Sequence, residues 1–159
     1  RDDWAVHVAL WEDGDLVAGA VALPGIGAAL SSADPARPVT RPSRIRLAVS
    51  RSRPPKIVDY LAEHLDLDLV PMGSAGFKTT AVVRGDADAY IHAGGQFEWD
   101  SAAPVAVARQ AGLFASRIDG SPLKYNQIDP YLPDLLVCAP ANAEHLLAAM
   151  NSYTKDARD

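Results

Sequence analysis

Few segments of this chain carry residue types that can do chemistry. The most informative runs Glu98-Trp99-Asp100-Ser101-Ala102-Ala103-Pro104 and leads into an apolar stretch rich in alanine and valine. The pattern predicts a helix from about Ser101 to Ala111, stopped by Gly112, with Asp100 at its N-cap. That helix is apolar on every side, which implies burial on both faces. Small residues at its start let a ligand approach closely, and a helix N-terminus favours phosphate. A carboxylate placed there can also hold a hard cation that bridges to the phosphate. The same pattern equally suits an aspartate that only caps, and both readings stand at this point.

A second segment is Gly73-Ser74-Ala75-Gly76-Phe77-Lys78, between a strand and a helix. Glycine and small side chains allow backbone N–H groups to face an anion, and Lys78 falls in the first helical turn beside them. The Gly-x-x-x-x-Gly-Lys-Ser/Thr phosphate loop is absent, so a tight inter-layer turn remains the alternative. From Asp34 to Lys56 seven cations face one acid, a local charge of +6 within a chain of net charge −5. The part after Ser50 (Arg51, Ser52, Arg53) follows a strand end, where α/β proteins place anion sites; an exposed basic loop is the other reading. The histidines at 7, 64, 92 and 145 have no partner at metal-ligand spacing. Cys138 is the single cysteine and lies in an apolar strand, which makes it a core residue and excludes both an internal disulfide and a cysteine zinc cluster.

These segments need elements to position them. Ala5 to Trp11 and Leu16 to Leu23 read as an antiparallel hairpin around an acidic, glycine-containing turn, with a third short strand near Ala28 to Leu30. A proline- and arginine-rich connector spans 34–43. Strands and helices then alternate. Strands are expected at Arg44–Ser50, Leu67–Met72, Ala89–His92, Phe114–Ile118 and Leu135–Cys138. Helices are expected after Pro54-Pro55, at Phe77–Arg84, at Ser101–Ala111 and at Ala141–Tyr153. The domain reading is a hairpin at 1–33, the connector at 34–43 and an α/β sandwich at 44–159.

Composition narrows the function classes. With 48% hydrophobic and 22% charged residues the 159-residue chain is ordinary globular material. An acidic chain is a poor general nucleic-acid binder, and no run is long and apolar enough for a membrane span. One cysteine and no signal-peptide pattern predict a cytoplasmic protein that binds neither nucleic acid nor membrane.

Taken in order, Gly73-Ser74-Ala75-Gly76-x-Lys78, Gly85-x-Ala87-Asp88-Ala89-Tyr90, Trp99-Asp100-x-Ala102-Ala103-Pro104 and Asp119-Gly120-x-Pro122-Leu123-x-Tyr125-Asn126 resemble the magnesium-dependent, lithium-sensitive phosphomonoesterases. This inositol monophosphatase-like superfamily includes the bisphosphate nucleotidases, and the detail from His92 to Asp100 is most similar to the CysQ-type group. The resemblance implies an α/β fold: the C-terminal α/β layered lobe of that family plus a β-hairpin from its N-terminal α+β lobe. It implies a Mg²⁺ cofactor with Asp100 as a metal ligand. It implies substrate contacts from Gly73, Ser74, Ala75 and Lys78, with Arg51 as a weaker candidate for a second phosphate. The implied activity is removal of the 3′-phosphate of 3′-phosphoadenosine 5′-phosphate to give AMP. An inositol or sugar-phosphate phosphatase, and a non-catalytic anion- or partner-binding module, are the alternatives. The family's Asp-x-x-Asp-Gly-Thr metal-binding segment is absent from the chain, which starts at Arg1-Asp2-Asp3-Trp4. The expectation is therefore a C-terminal portion with no catalytic residue of its own beyond the metal-ligand aspartate, inactive in isolation. A missing N-terminal lobe or a homodimer partner would then cover its open side.

Overall fold

The computed structural model describes residues 1–35 and 44–156. Most of the expected connector, residues 36–43 with Arg37 and Arg41, lies outside the described residues. Three strands, β1 (Val6–Glu12), β2 (Asp15–Leu23) and β3 (Ala28–Ser31), form an antiparallel sheet in the order β1-β2-β3. The second sheet contains β4 (Ile45–Ser50), β5 (Leu67–Met72), β6 (Ala89–Phe97), β7 (Phe114–Ser116) and β8 (Tyr131–Cys138). Its order is β5-β4-β6-β8-β7, with β4 parallel to both β5 and β6, and β8 antiparallel to β6 and β7. Pro71 is accommodated because β5 is an edge strand.

The helices are α1 (Lys56–His64), α2 (Ala75–Arg84), α3 (Glu98–Gln110) and α4 (Pro140–Asp156). Strand alternation sorts the large sheet into two faces. Leu47, Val49, Ile91 and Leu136 point towards Ile57 and Leu61 of α1 and Leu146 and Met150 of α4. Ala48, Tyr90, Leu135 and Val137 point towards α2, α3 and the small sheet. The layers run α1/α4, large sheet, α2/α3, small sheet, so α3 is covered on both sides, as its all-apolar sequence requires. Gly19 of β2 permits that contact: a Cβ there would meet the Ala103 carbonyl oxygen and the Ala106 methyl at 2.7 Å.

Several expected boundaries move: α2 starts two residues early at Ala75, β7 stops at Ser116 and α4 runs on to Asp156, and three further shifts shape the site. α3 begins at Glu98 rather than Ser101, which makes Phe97 the N-cap and puts Asp100 inside the first turn. There the Asp100 carboxylate reaches back to the Phe97 N–H at 2.9 Å, so it still supplies the capping hydrogen bond, from three residues further in. β6 runs past His92 to Phe97 because Gly94 and Gly95, at φ +116° and +86°, form a bulge after which Gln96 pairs with Leu132. β8 correspondingly starts at Tyr131, four residues earlier than the apolar run indicates.

Candidate active site

The site is built where β4, β5 and β6 end and α2 and α3 begin. A cavity of about 580 Å³ opens there between Ser50, Ser52 and Arg53 after β4, Ser74 and Ala75 at the start of α2, the Gly94–Gln96 bulge, and Asp100 of α3. Lys78 and Tyr90 line its inner wall. The parallel β4–β6 pairing brings these strand ends together, the usual site position in α/β sheets.

Lys78 is buried, with 5% of its surface exposed. Its ammonium donates to the Ser74 carbonyl oxygen at 3.0 Å and lies 5.1 Å from the centre of the Tyr90 ring. Burial pushes its pKa down to about 8; Asp3 works against that shift and Arg51 adds to it. Ser74 caps α2 by accepting the Phe77 N–H at 3.3 Å, and holds φ +50° to do so, a strained backbone for a non-glycine residue. Opposite, the charge on Asp100, after burial itself, raises the Tyr90 hydroxyl well above the ordinary tyrosine range. The Tyr90 hydroxyl and both amide atoms of Gln96 are buried and lack a protein hydrogen-bond partner. A pocket with a buried cation, a helix N-terminus and unpaired polar groups suits a multiply charged, hydrogen-bonding ligand such as a phosphate ester.

Of the residues expected from sequence, Ser74, Ala75, Lys78 and Asp100 come together in this cavity. Gly73 sits behind it, its N–H donating to Asp3 at 2.6 Å. Arg51 turns away: it pairs with Asp3 and lines a separate hollow with Met72 and Phe77, while Arg53 lines the main cavity. Asp3 is one of the residues that sequence reasoning missed. It ties the chain ahead of β1 to two site loops, and the Gly73 N–H followed by the Arg51 guanidinium hold its carboxyl below the usual range. Nothing local marks it, since its partners lie 48 and 70 residues away. Glu98 does a similar job on α3, accepting the Asn126 and Gln127 N–H groups at 2.6 and 2.9 Å. His92 Nε2 donates to the Gly95 carbonyl oxygen at 2.9 Å and so supports the bulge. Cys138 is fully buried and its thiol is pushed up to about 12, which removes it as a nucleophile.

Asp100 is the one carboxylate among the described residues lining the cavity. Among the described residues no group of three or more His, Cys, Asp or Glu side chains is placed to hold a metal ion. Mg²⁺ takes about six oxygen ligands, so these residues do not compose such a site; Asp100 can offer one oxygen to it.

Relatives with known names support the same picture. The 3′-phosphoadenosine 5′-phosphate phosphatases of Mycobacterium bovis and Mycobacterium tuberculosis are each 50% identical over 159 residues, covering 94% of this chain and 60% of theirs. The 3′(2′),5′-bisphosphate nucleotidase CysQ of Aggregatibacter actinomycetemcomitans is 32% identical over 89 residues, covering 55% of this chain and 33% of its own. The chain thus spans about 60% of the length of the mycobacterial relatives. Inositol monophosphatase-II from Staphylococcus aureus superposes with a TM-score of 0.75 at 17% identity, over 92% of this chain and 60% of its own. CysQ from Bacteroides thetaiotaomicron superposes with a TM-score of 0.68 at 24% identity, over 87% and 63%. At these identities the two structures speak for the fold. The profile of the inositol monophosphatase family matches residues 1–155, and the chain belongs to that family.

Proposed function

We propose that this chain carries the substrate-binding side of a phosphomonoesterase that acts on 3′-phosphoadenosine 5′-phosphate. The family is generally metal-dependent; here the metal is taken to be Mg²⁺, with Asp100 giving one ligand. Such an ion, held by Asp100 together with ligands that these residues do not include, would supply an activated water and charge neutralisation. In the net reaction water adds to the 3′-phosphorus, the ester P–O bond breaks, and the ribose oxygen leaves with a proton, giving AMP and phosphate.

The chain's own residues position the substrate. The observation that carries the reading is the buried Lys78, which lines the same cavity as Asp100. A cation held in a wall at this cost to stability is explained by a counter-charge brought in by the ligand. Asp100 marks the reacting end, so Lys78 and Arg53 serve a second phosphate. The α2 N-terminus adds N–H groups to the same anion. A polyol monophosphate would leave Lys78 without that counter-charge, which favours the bisphosphate. The mycobacterial relatives' names point the same way.

Phosphate release from 3′-phosphoadenosine 5′-phosphate and from inositol 1-phosphate, with Mg²⁺, tests this in the full-length protein. Faster turnover of the nucleotide, with Lys78→Met raising its KM about tenfold or more, is the expected result. Equal rates on both substrates, indifferent to Lys78, would refute it. The 159-residue chain by itself is expected to show no turnover, because one carboxylate cannot hold the ions. Robust turnover by this chain, abolished by Asp100→Asn, would overturn that expectation.

A further inference from the structure

His7 is the second residue of β1, in a sheet two layers away from the strands that carry the cavity, yet its ring meets the first turns of both α2 and α3. Its Nδ1 is 3.1 Å from the Trp99 carbonyl oxygen. A carbonyl only accepts, so Nδ1 carries the proton and donates. The other ring nitrogen, Nε2, is buried without a hydrogen-bond partner and faces Gly76. A Cβ at residue 76 would lie 1.9 Å from Nε2, 2.7 Å from Cε1 and 3.0 Å from Cδ2, so the imidazole occupies the space a side chain there would need. Trp99 immediately precedes Asp100, and Gly76 is two residues before Lys78, each pair on one helical turn. One rigid ring is therefore wedged between the first turns of α2 and α3.

We propose that His7 is a positioning residue whose ring sets the separation of the α2 and α3 N-termini, and with it the gap between Lys78 and Asp100, with Gly76 as its obligatory seat. This rests on the bisphosphate reading above, in which Lys78 grips the second phosphate and Asp100 marks the reacting one. A ligand held at two points is sensitive to their spacing: a displacement of about 1 Å at the reacting atom costs roughly a hundredfold in rate. Loss of the wedge leaves Lys78 and its local contacts in place, so the substrate still binds but sits out of register. The consequence is a fall in kcat with little change in KM, whereas general loosening of the fold would lower the amount of active protein and the melting temperature together.

Four variants of the full-length protein separate these cases. His7→Leu fills the space without a donor, and His7→Asn keeps a short N–H donor towards Trp99. Gly76→Ala forces the ring out. His7→Ala with Gly76→Ala removes the clash but not the loss of the hydrogen bond. Expected are a kcat reduced roughly ten- to hundredfold in His7→Leu with KM within about threefold of wild type, and partial recovery of kcat in His7→Asn. The double variant should regain the melting temperature lost by Gly76→Ala while its kcat stays low. A folded His7→Leu with wild-type kcat, or a kcat that rises in step with melting temperature across the four variants, overturns the positioning role. Failure of the wild-type protein to hydrolyse 3′-phosphoadenosine 5′-phosphate is a separate outcome, and it overturns the bisphosphate reading together with the inference built on it.

Discussion

Lys78 is a charge kept where a neutral side chain would be more stable. Its pKa of about 8 in the folded chain compares with 10.5 for an ordinary lysine. Below about pH 8 the folded and unfolded chains both carry the proton, and the cost of burying it is present in full. Between about 8 and 10.5 the unfolded chain binds more protons than the folded one, so stability rises with pH across that window. Lys78→Met should therefore stabilise the chain by about 1–3 kcal/mol at pH 7 and flatten the gain on going to pH 9.5. Denaturant melts at the two pH values check both statements. The same substitution should weaken nucleotide binding, the exchange of stability for function expected at a binding site. Asp100 and Lys78 were both legible in the sequence, because short motifs around a helix start announce themselves. Asp3 and His7 were not, since their partners are brought to them by the chain path alone.

Among the elements, α3 and the Gly94–Gly95 bulge decide the geometry of the site. The apolar run marked α3 as a buried helix, and it is one, but its start depended on how far Asp100 could reach back. The bulge was legible only as two glycines; its effect, turning Gln96 inward beside Tyr90, required knowing that β8 lies alongside. The packing of β2 on α3 through Gly19 offers a direct test. Gly19→Val places atoms where the Ala103 carbonyl and the Ala106 methyl already sit, and should cost about 1–3 kcal/mol or more. Gly27→Ala is the control for glycine replacement: a Cβ there meets nothing within 4 Å, so its cost is confined to the φ of +63°. Urea denaturation of the two variants should rank Gly19→Val as the more damaging; the reverse order would argue against the observed contact.

For the whole molecule, the outer face of the small sheet stands out. Val6, Val8 and Leu10 alternate along β1 and are 50%, 68% and 56% exposed, with Val17 close by on β2. Apolar surface of this extent promotes association. The 159-residue chain is expected to bind a hydrophobic dye and to self-associate, and Val8→Glu with Leu10→Lys should reduce both without altering the far-ultraviolet circular dichroism. Sedimentation velocity of the two proteins reads the difference. By itself the sequence determined the alternation of strands and helices, the buried character of α3, and the grouping of Ser74, Lys78 and Asp100 at helix starts. Those depend on periodicity and capping within a dozen residues, which local chemistry encodes. Only the tertiary structure decided that Arg51 is held by Asp3 while Arg53 faces the cavity, and that His7 of one sheet spaces the helices beneath the other. These are contacts between segments 48 to 92 residues apart, fixed by how the layers stack rather than by any pattern along the chain.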